Sequence, residues 1–263
     1  MDRSVSCSLT AQVLAPACVE LQVAVARPAA EQLRVTLDGD EVVLREIPTD
    51  VGGRLHLADV GAGELQVDYR AHVPGRVRPV AVEPLDPVIY LRPSRYAPSD
   101  LLAGYARTEL GPGTAPAELL RDAAAWVGRR LAYVAGSSAG TDSAVDTLLS
   151  GHGVCRDYAH LLVALLRARD VPARLVAVYA PGLAPMDFHA VAEALVDGVW
   201  CVADPTLLAP RSGLVRIATG RDAADTAFLS SYGGEVRLQA MSVGAVVDGE
   251  LPGDDLDTLV QLG

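Results

Sequence analysis

Apolar and polar residues alternate along most of the first third of the chain. Short runs rich in Val and Leu recur there: QLRVTL, EVVLREI, RLHLADV and ELQVDYRAHV. A period of two is typical of strands with one buried face. Turn residues separate the runs, and residues 38–40 (DGD) indicate a hairpin between two of them. The pattern predicts an all-β sandwich, and we assign it residues 1–94.

The pattern changes after this region. Six prolines lie between residues 74 and 98 and predict a connector. Beyond them, the helical patterns DLLAGYARTEL and APAELLRDAAAWVGRRLAY precede strand-like runs such as ARLVAVYA, FHAVAEALV and GEVRLQAMSVGAVV. Helices followed by strands predict an α+β domain over residues 95–263. Its acidic last residues predict a poorly ordered or short helical tail.

Composition narrows the classes of partner. Half of the residues are hydrophobic and the formal net charge is −11. Such an acidic chain lacks the basic patches that nucleic acids and anionic membranes require, so we expect neither as a partner. Without a secretory leader or a run of about 18 apolar residues, a cytoplasmic location is expected. The sequence leaves the oligomeric state open.

Cys155 is the candidate nucleophile among four cysteines. It begins an apolar helical segment, where free N–H groups and the helix dipole favour a thiolate and could bind an oxyanion. Gly151 and Gly153 precede it and allow a sharp turn into the helix. The other three cysteines are scattered and fit small core positions: Cys7, Cys18 and Cys201.

A histidine and an aspartate can be placed by counting across a hairpin. Asp197 and Gly198 form a strong two-residue turn signal, so paired residue numbers sum to 395. Asp204 then lies opposite Val191, two residues from His189 on the same face, and the His–Asp separation is about 7–8 Å at the backbone. A three-residue turn would put the two on opposite faces. The predicted register therefore allows an imidazole and a carboxylate to meet.

Three segments resemble the bacterial transglutaminase-like family, within the papain-like cysteine superfamily: GVCRDYAHLLVALLRARDVPARLV, DFHAVAEALVDGVWCVADPT and GLVRIATGRDAADTAFLSSYGG. The resemblance covers most of residues 95–235, and the β-rich first part resembles the region that accompanies this domain in bacterial members. It implies a transglutaminase-like α+β fold and a catalytic triad of Cys155, His189 and Asp204. It also implies acyl transfer from an amide through a thioester.

The expected reaction is cleavage of an amide or peptide bond, with a peptide or a small amide as substrate. Two alternatives stay open: amide formation with an amine acceptor, and a non-catalytic binding scaffold. We expect no cofactor, since no P-loop or EF-hand is present. We also expect no metal, because the spacing of His152, Cys155 and His160 matches no standard zinc site.

Six further residues are expected around the triad, either shaping it or packing beside it. Tyr133 precedes the nucleophile in a loop where some relatives keep an oxyanion-hole side chain. Arg156 and Asp157 form either a solvated pair or a support for the nucleophile loop. Glu193 shares a strand face with His189 by alternation. His152 is expected in a loop lining the cleft, and His160 inside the helix packing.

Overall fold

The computed structural model describes residues 1–75, 78–113 and 115–263. Residues 76 and 77, within the predicted connector, and residue 114 lie outside the described residues. The strands are β1 (Arg3–Val13), β2 (Ala17–Leu21), β3 (Ala30–Leu37), β4 (Asp40–Glu41), β5 (Arg45–Pro48), β6 (Arg54–Val60), β7 (Gly63–Val73), β8 (Ala132–Tyr133), β9 (His152–Gly153), β10 (Ala173–Tyr179), β11 (Phe188–Val196), β12 (Val199–Ala203), β13 (Val215–Gly220), β14 (Leu229–Tyr232) and β15 (Val236–Val247). The α-helices are α1 (Asp86–Ile89), α2 (Ala103–Glu109), α3 (Pro116–Arg130), α4 (Ala144–Ser150) and α5 (Cys155–Arg167), with 3₁₀ helices at Ser99–Leu102 and Arg211–Gly213.

The first strands form the predicted β-sandwich. One antiparallel sheet has the order β15-β1-β7-β3-β4 and the other the order β14-β2-β6-β5. Alternate residues of β1 and β7 are buried, as a strand with one face on a core requires. Val5 and Leu9 of one sheet and Val19 and Leu21 of the other meet in a single apolar cluster. The all-β sandwich is confirmed.

The second part combines helices with a four-stranded antiparallel sheet of order β12-β11-β10-β13. Helix α5 packs against β10 and β11, and α3 and α4 pack against α5. The leucines of α5 lie in the core that the helices share with the sheet. The helix ends before Asp170, whose φ of 59° is left-handed, and Pro172 follows. The predicted α+β fold is also confirmed.

The hairpin of β11 and β12 has the register predicted by counting. Val196 pairs with Val199, and the register continues to Ala192 opposite Ala203. Asp197 and Gly198 have φ values of 48° and 81°, which fit the primed two-residue turn that Asp-Gly favours. This register brings the candidate histidine and aspartate to one end of the sheet.

The chain returns to the sandwich after the second part. Strand β14 pairs with β2, and β15 pairs with β1 along its whole length. Both strands lie within residues 95–263, the predicted second domain. Only β15 was predicted as a strand, and an alternating run does not reveal the distant partner of the strand. The boundary after residue 94 stays a prediction. Because β14 and β15 belong to the two sheets of the sandwich, residues from both parts of the chain build the sandwich.

The acidic tail is held against the second part. Arg211 bonds the Asp254 carboxylate, with a closest distance of 2.8 Å between nitrogen and oxygen in the ion pair. The N–H of Val202 donates to the Val260 carbonyl at 2.8 Å. The tail is therefore bonded to β12 and Arg211, in place of the predicted disorder or short helix. Within the described residues, no helix is both long and apolar enough to cross a bilayer.

The sandwich core offers a direct test of this architecture. Leu9 is 2% exposed, so Leu9→Ala should lower the free energy of unfolding by about 2–5 kcal/mol, through lost burial and a residual cavity. Leu14, one residue beyond the end of β1, is 43% exposed, and Leu14→Ala should change that energy by less than about 0.5 kcal/mol. Urea denaturation measures both. Equal effects would contradict the assigned core.

Candidate active site

Cys155 is the first residue of α5, and the backbone before it is shaped by two glycines. Gly151 has a φ of 71° at the end of α4, a left-handed conformation that favours glycine. Gly153 lies against Asp157, where an added Cβ would come within 2.7 Å of the Asp157 Cβ. The thiol itself is half-buried and free of any disulfide. It therefore combines access from solvent with a fixed position at a helix N-terminus.

Asp157 and Arg156 support the start of this helix. The Asp157 carboxylate, 1% exposed, accepts the Val154 N–H at 2.8 Å and the Ser138 hydroxyl at 2.9 Å. Arg156 donates to the Ser138 Oγ and to the Ala139 carbonyl, both at 2.6 Å. Two roles were predicted for this pair: a solvated ion pair, or a support for the loop before Cys155. The contacts favour the second role.

His189 and Asp204 form a fully buried pair. The Nε2 of His189 lies 2.7 Å from the Oδ2 of Asp204, and both side chains are 0% exposed. The other carboxylate oxygen accepts the Thr206 hydroxyl at 2.7 Å and the Thr206 N–H at 3.0 Å. These bonds fix the carboxylate, which in turn fixes the orientation of the ring.

The environment of His189 favours its charged form. Burial lowers the pKa of His189, but attraction to the Asp204 carboxylate and the hydrogen bond to it outweigh burial, and the nearby Cys155 thiol adds to the effect. The resulting pKa is about 10, compared with an ordinary value of 6.5. Nδ1 is buried and has no hydrogen bond of normal geometry among the described residues. It is therefore the nitrogen left to exchange a proton with the thiol.

Tyr133 lies beside the nucleophile because two short strands hold it there. Strands β8 and β9 pair in parallel, with Tyr133 opposite Gly153, two residues before Cys155. Burial raises the pKa of Tyr133 to about 12; the charge of a Cys155 thiolate raises it further, and the backbone N–H of Cys155 lowers it. The side chain remains 44% exposed.

His160 and His152 are separate from the His189–Asp204 pair. His160 is 0% exposed, its ring stacks on Tyr96 at 5.3 Å between centroids, and its Nε2 accepts the Ala223 N–H at 3.1 Å. Burial lowers the pKa of His160, so the ring is neutral. His152 is half-buried in β9 rather than in a loop. His160 thus connects the nucleophile helix to the segment around Ala223.

Glu193 lies in the sheet and contacts two buried arginines. Its carboxylate bonds Arg174 at 2.8 Å and Arg216 at 2.5 Å, and all three side chains are at most 1% exposed. Burial raises the pKa of Glu193, but the two guanidinium groups outweigh it and hold that pKa below its usual range. Arg174 also packs over the Trp200 ring at 3.8 Å. The cluster anchors the strand that carries His189.

A cavity of about 380 Å³ opens beside Cys155 and His189. Its lining includes side chains that the sequence did not single out: Tyr96, Leu175, Asp187, Phe188, Phe228, Leu229 and Met241. They come from five separate parts of the chain, and only the folded sheet brings them together. Among the described residues, no three His, Cys, Asp or Glu side chains form a group suited to a metal ion.

Comparison with known proteins gives a family model and an extensive structural match. The transglutaminase-like superfamily model matches residues 104–205. A provisionally assigned cysteine protease from Cytophaga hutchinsonii, with a crystal structure at 1.9 Å, is 32% identical. The two structures superimpose with a TM-score of 0.85, over 98% of this chain and 96% of that chain.

Two other similarities are more limited. An uncharacterized protein of Mycobacterium leprae, ML0607, is 30% identical over 89 residues, which are 34% of this chain and 32% of its own length. The chain thus spans about a third of that curated relative. The periplasmic domain of TgpA from Pseudomonas aeruginosa is 18% identical with a TM-score of 0.40, over 76% of this chain and 87% of that chain. This likeness is too distant to carry an argument.

The buried pair gives a prediction for pH dependence. Because the pKa of His189 is raised, its ion pair with Asp204 stabilises the fold fully below pH 6.5 and is lost as the pH rises through about 10. In Asp204→Asn the attraction disappears while burial remains, so the pKa of His189 should fall below 6.5. NMR titration of the histidine rings measures the shift. An unchanged pKa in the variant would refute the pairing.

Proposed function

The chain belongs to the transglutaminase-like superfamily, and on that premise we propose that it cleaves an amide or peptide bond through a thioester on Cys155. The family and the fold make it a cysteine enzyme of papain-like architecture. The observation that carries the proposal is the state of His189: Nε2 is bonded to a buried carboxylate and Nδ1 is free beside the thiol. This arrangement supports His189 as the base and Asp204 as the group that orients it.

In the first step the Cys155 sulfur attacks the carbonyl carbon of the amide. The His189 imidazolium gives its Nδ1 proton to the departing nitrogen, so the C–N bond breaks, an amine leaves and a thioester remains. Asp204 keeps the proton on Nε2 in every state and stabilises the charged ring. Water then attacks the thioester carbon as His189 takes its proton. The C–S bond breaks and a carboxylic acid is released.

The negative charge on the carbonyl oxygen needs donors during both steps. The backbone N–H of Cys155, at the first position of α5, has no acceptor within the helix. It is close enough to Tyr133 to lower the pKa of that phenol. Because Tyr133 is partly exposed, the carbonyl oxygen of a substrate can approach and accept from the Cys155 N–H. The phenol O–H of Tyr133 is then available as a second donor to that oxygen. Tyr133 is therefore part of the proposed oxyanion site.

Water is the proposed acceptor rather than an amine. The extensive similarity to the Cytophaga hutchinsonii protein, provisionally described as a cysteine protease, supports hydrolysis. An amine that intercepts the thioester would give amide formation instead, with the same first step. A binding scaffold without chemistry is disfavoured, because nothing in binding alone requires a buried His–Asp pair beside a free thiol.

Turnover of a peptide library tests the proposal. Cys155→Ala should lower cleavage by at least about 1,000-fold, whereas Cys201→Ala, which changes a buried cysteine away from the cavity, should keep the activity of the wild type. Mass spectrometry should detect an acyl group on Cys155. With a primary amine present, free acid should remain the main product. Cleavage that survives Cys155→Ala would overturn the nucleophile, and a dominant amide product would overturn hydrolysis.

A further inference from the structure

The cavity beside the nucleophile is lined mainly by apolar side chains. Phe188, Phe228, Leu229 and Met241 contribute to it, together with Leu175 from the sheet. Phe188, Phe228 and Leu229 are half-buried, and Met241 is 37% exposed. Binding is favourable when a ligand removes apolar surface of this kind from water. The cavity volume of about 380 Å³ is enough for one large side chain or an aromatic group.

Part of the cavity wall comes from the sandwich. Leu229 lies in β14 opposite Leu21, and Met241 lies in β15 opposite Leu9. β15 is an edge strand, so the side chain of Met241 reaches past the sandwich core towards the cavity. The wall therefore exists only when the last strands of the chain have joined the first sheets.

The aromatic part of the cavity is fixed before any ligand arrives. The rings of Phe188 and Phe228 stack with centroids 5.1 Å apart and planes 23° apart. The centroid of the Phe188 ring also lies 5.5 Å from that of the Tyr179 ring. The Tyr179 hydroxyl donates to the Val23 carbonyl at 2.8 Å. A preformed wall loses little conformational entropy on binding.

The charged residues at the cavity have bonds within the protein. Arg156 donates to Ser138 and Ala139. Asp187 accepts the N–H of Phe188 at 2.7 Å. A charged ligand group placed among the apolar side chains that form most of this lining would lose its hydration, which is unfavourable. The lining therefore favours a neutral group.

We propose that this cavity binds a bulky apolar group next to the scissile amide, and that the sandwich, through Leu229 and Met241, determines this specificity. The substrate class is then an amide or peptide with an aromatic or large aliphatic group close to the bond that Cys155 attacks. This inference rests on the proposed function for its meaning in catalysis. The preference itself can be measured without turnover.

The test compares alkylation of Cys155 by substituted iodoacetamides. N-phenethyl iodoacetamide should react at least about tenfold faster than iodoacetamide, after correction for reactivity towards glutathione, because the phenyl group fills the cavity. N-carboxymethyl iodoacetamide should show no such acceleration. Mass spectrometry of the peptide that contains Cys155 gives the rates.

Two matched variants locate the effect. Met241→Glu places a carboxylate at the cavity and should abolish the acceleration by the phenethyl group. Leu238→Glu, on the same strand and 42% exposed but outside the cavity lining, should keep it. Circular dichroism checks that both variants are folded. Loss in both variants, or acceleration that survives Met241→Glu, would overturn the assignment of the cavity wall.

The outcomes separate the two proposals. Equal corrected rates for phenethyl and carboxymethyl reagents in the wild-type protein would overturn the apolar pocket, even if peptides are cleaved. Acceleration by the phenethyl group without any cleavage dependent on Cys155 would support the pocket and refute the hydrolase. If peptides are cleaved, those with Phe or Leu beside the scissile bond should exceed those with Asp by about tenfold or more in kcat/KM, and Met241→Glu should remove that difference.

Discussion

The hydrogen bond between His189 and Asp204 is the interaction around which the rest of the site is arranged. Both groups are fully buried, and removing one partner of such a pair leaves an uncompensated charge that costs about 3–5 kcal/mol. The pair is tolerated because the two Thr206 donors satisfy the carboxylate and the hairpin turn at Asp197 and Gly198 fixes the strand register. A slip of one residue would turn one partner to the opposite face of the sheet.

The supports of this pair extend through the second part of the molecule. Glu193, four residues along the same strand, is held by two buried arginines. The tail bonds both Arg211 and the strand that precedes Asp204. On the other side, Asp157 accepts the Val154 N–H and so secures the start of the nucleophile helix. Cysteine, histidine and aspartate are therefore positioned by three separate sets of polar contacts.

Local patterns were enough to predict most of the elements and the register that brings His189 to Asp204. Alternation identified most strands, and the Asp-Gly turn made counting possible. The partners of β14 and β15 could not be predicted, because pairing over more than two hundred residues leaves no local signal. The same limit hid the cavity, whose lining joins Phe188, Phe228 and Met241 only in the folded chain. Asp157 was identified beside Cys155 with two possible roles, and the structure was needed to favour its support of the helix over a solvated pair.

The central claim is that the His189–Asp204 pair activates the Cys155 thiol. The most direct measurement is the rate at which iodoacetamide alkylates Cys155 near neutral pH in the wild-type protein and in Asp204→Asn. Loss of the carboxylate leaves His189 buried without its charge partner, so the account predicts a rate lower by on the order of 100-fold. Cys7, which is buried in the sandwich, should remain equally slow in both proteins. An unchanged rate at Cys155 in the folded variant would contradict the account.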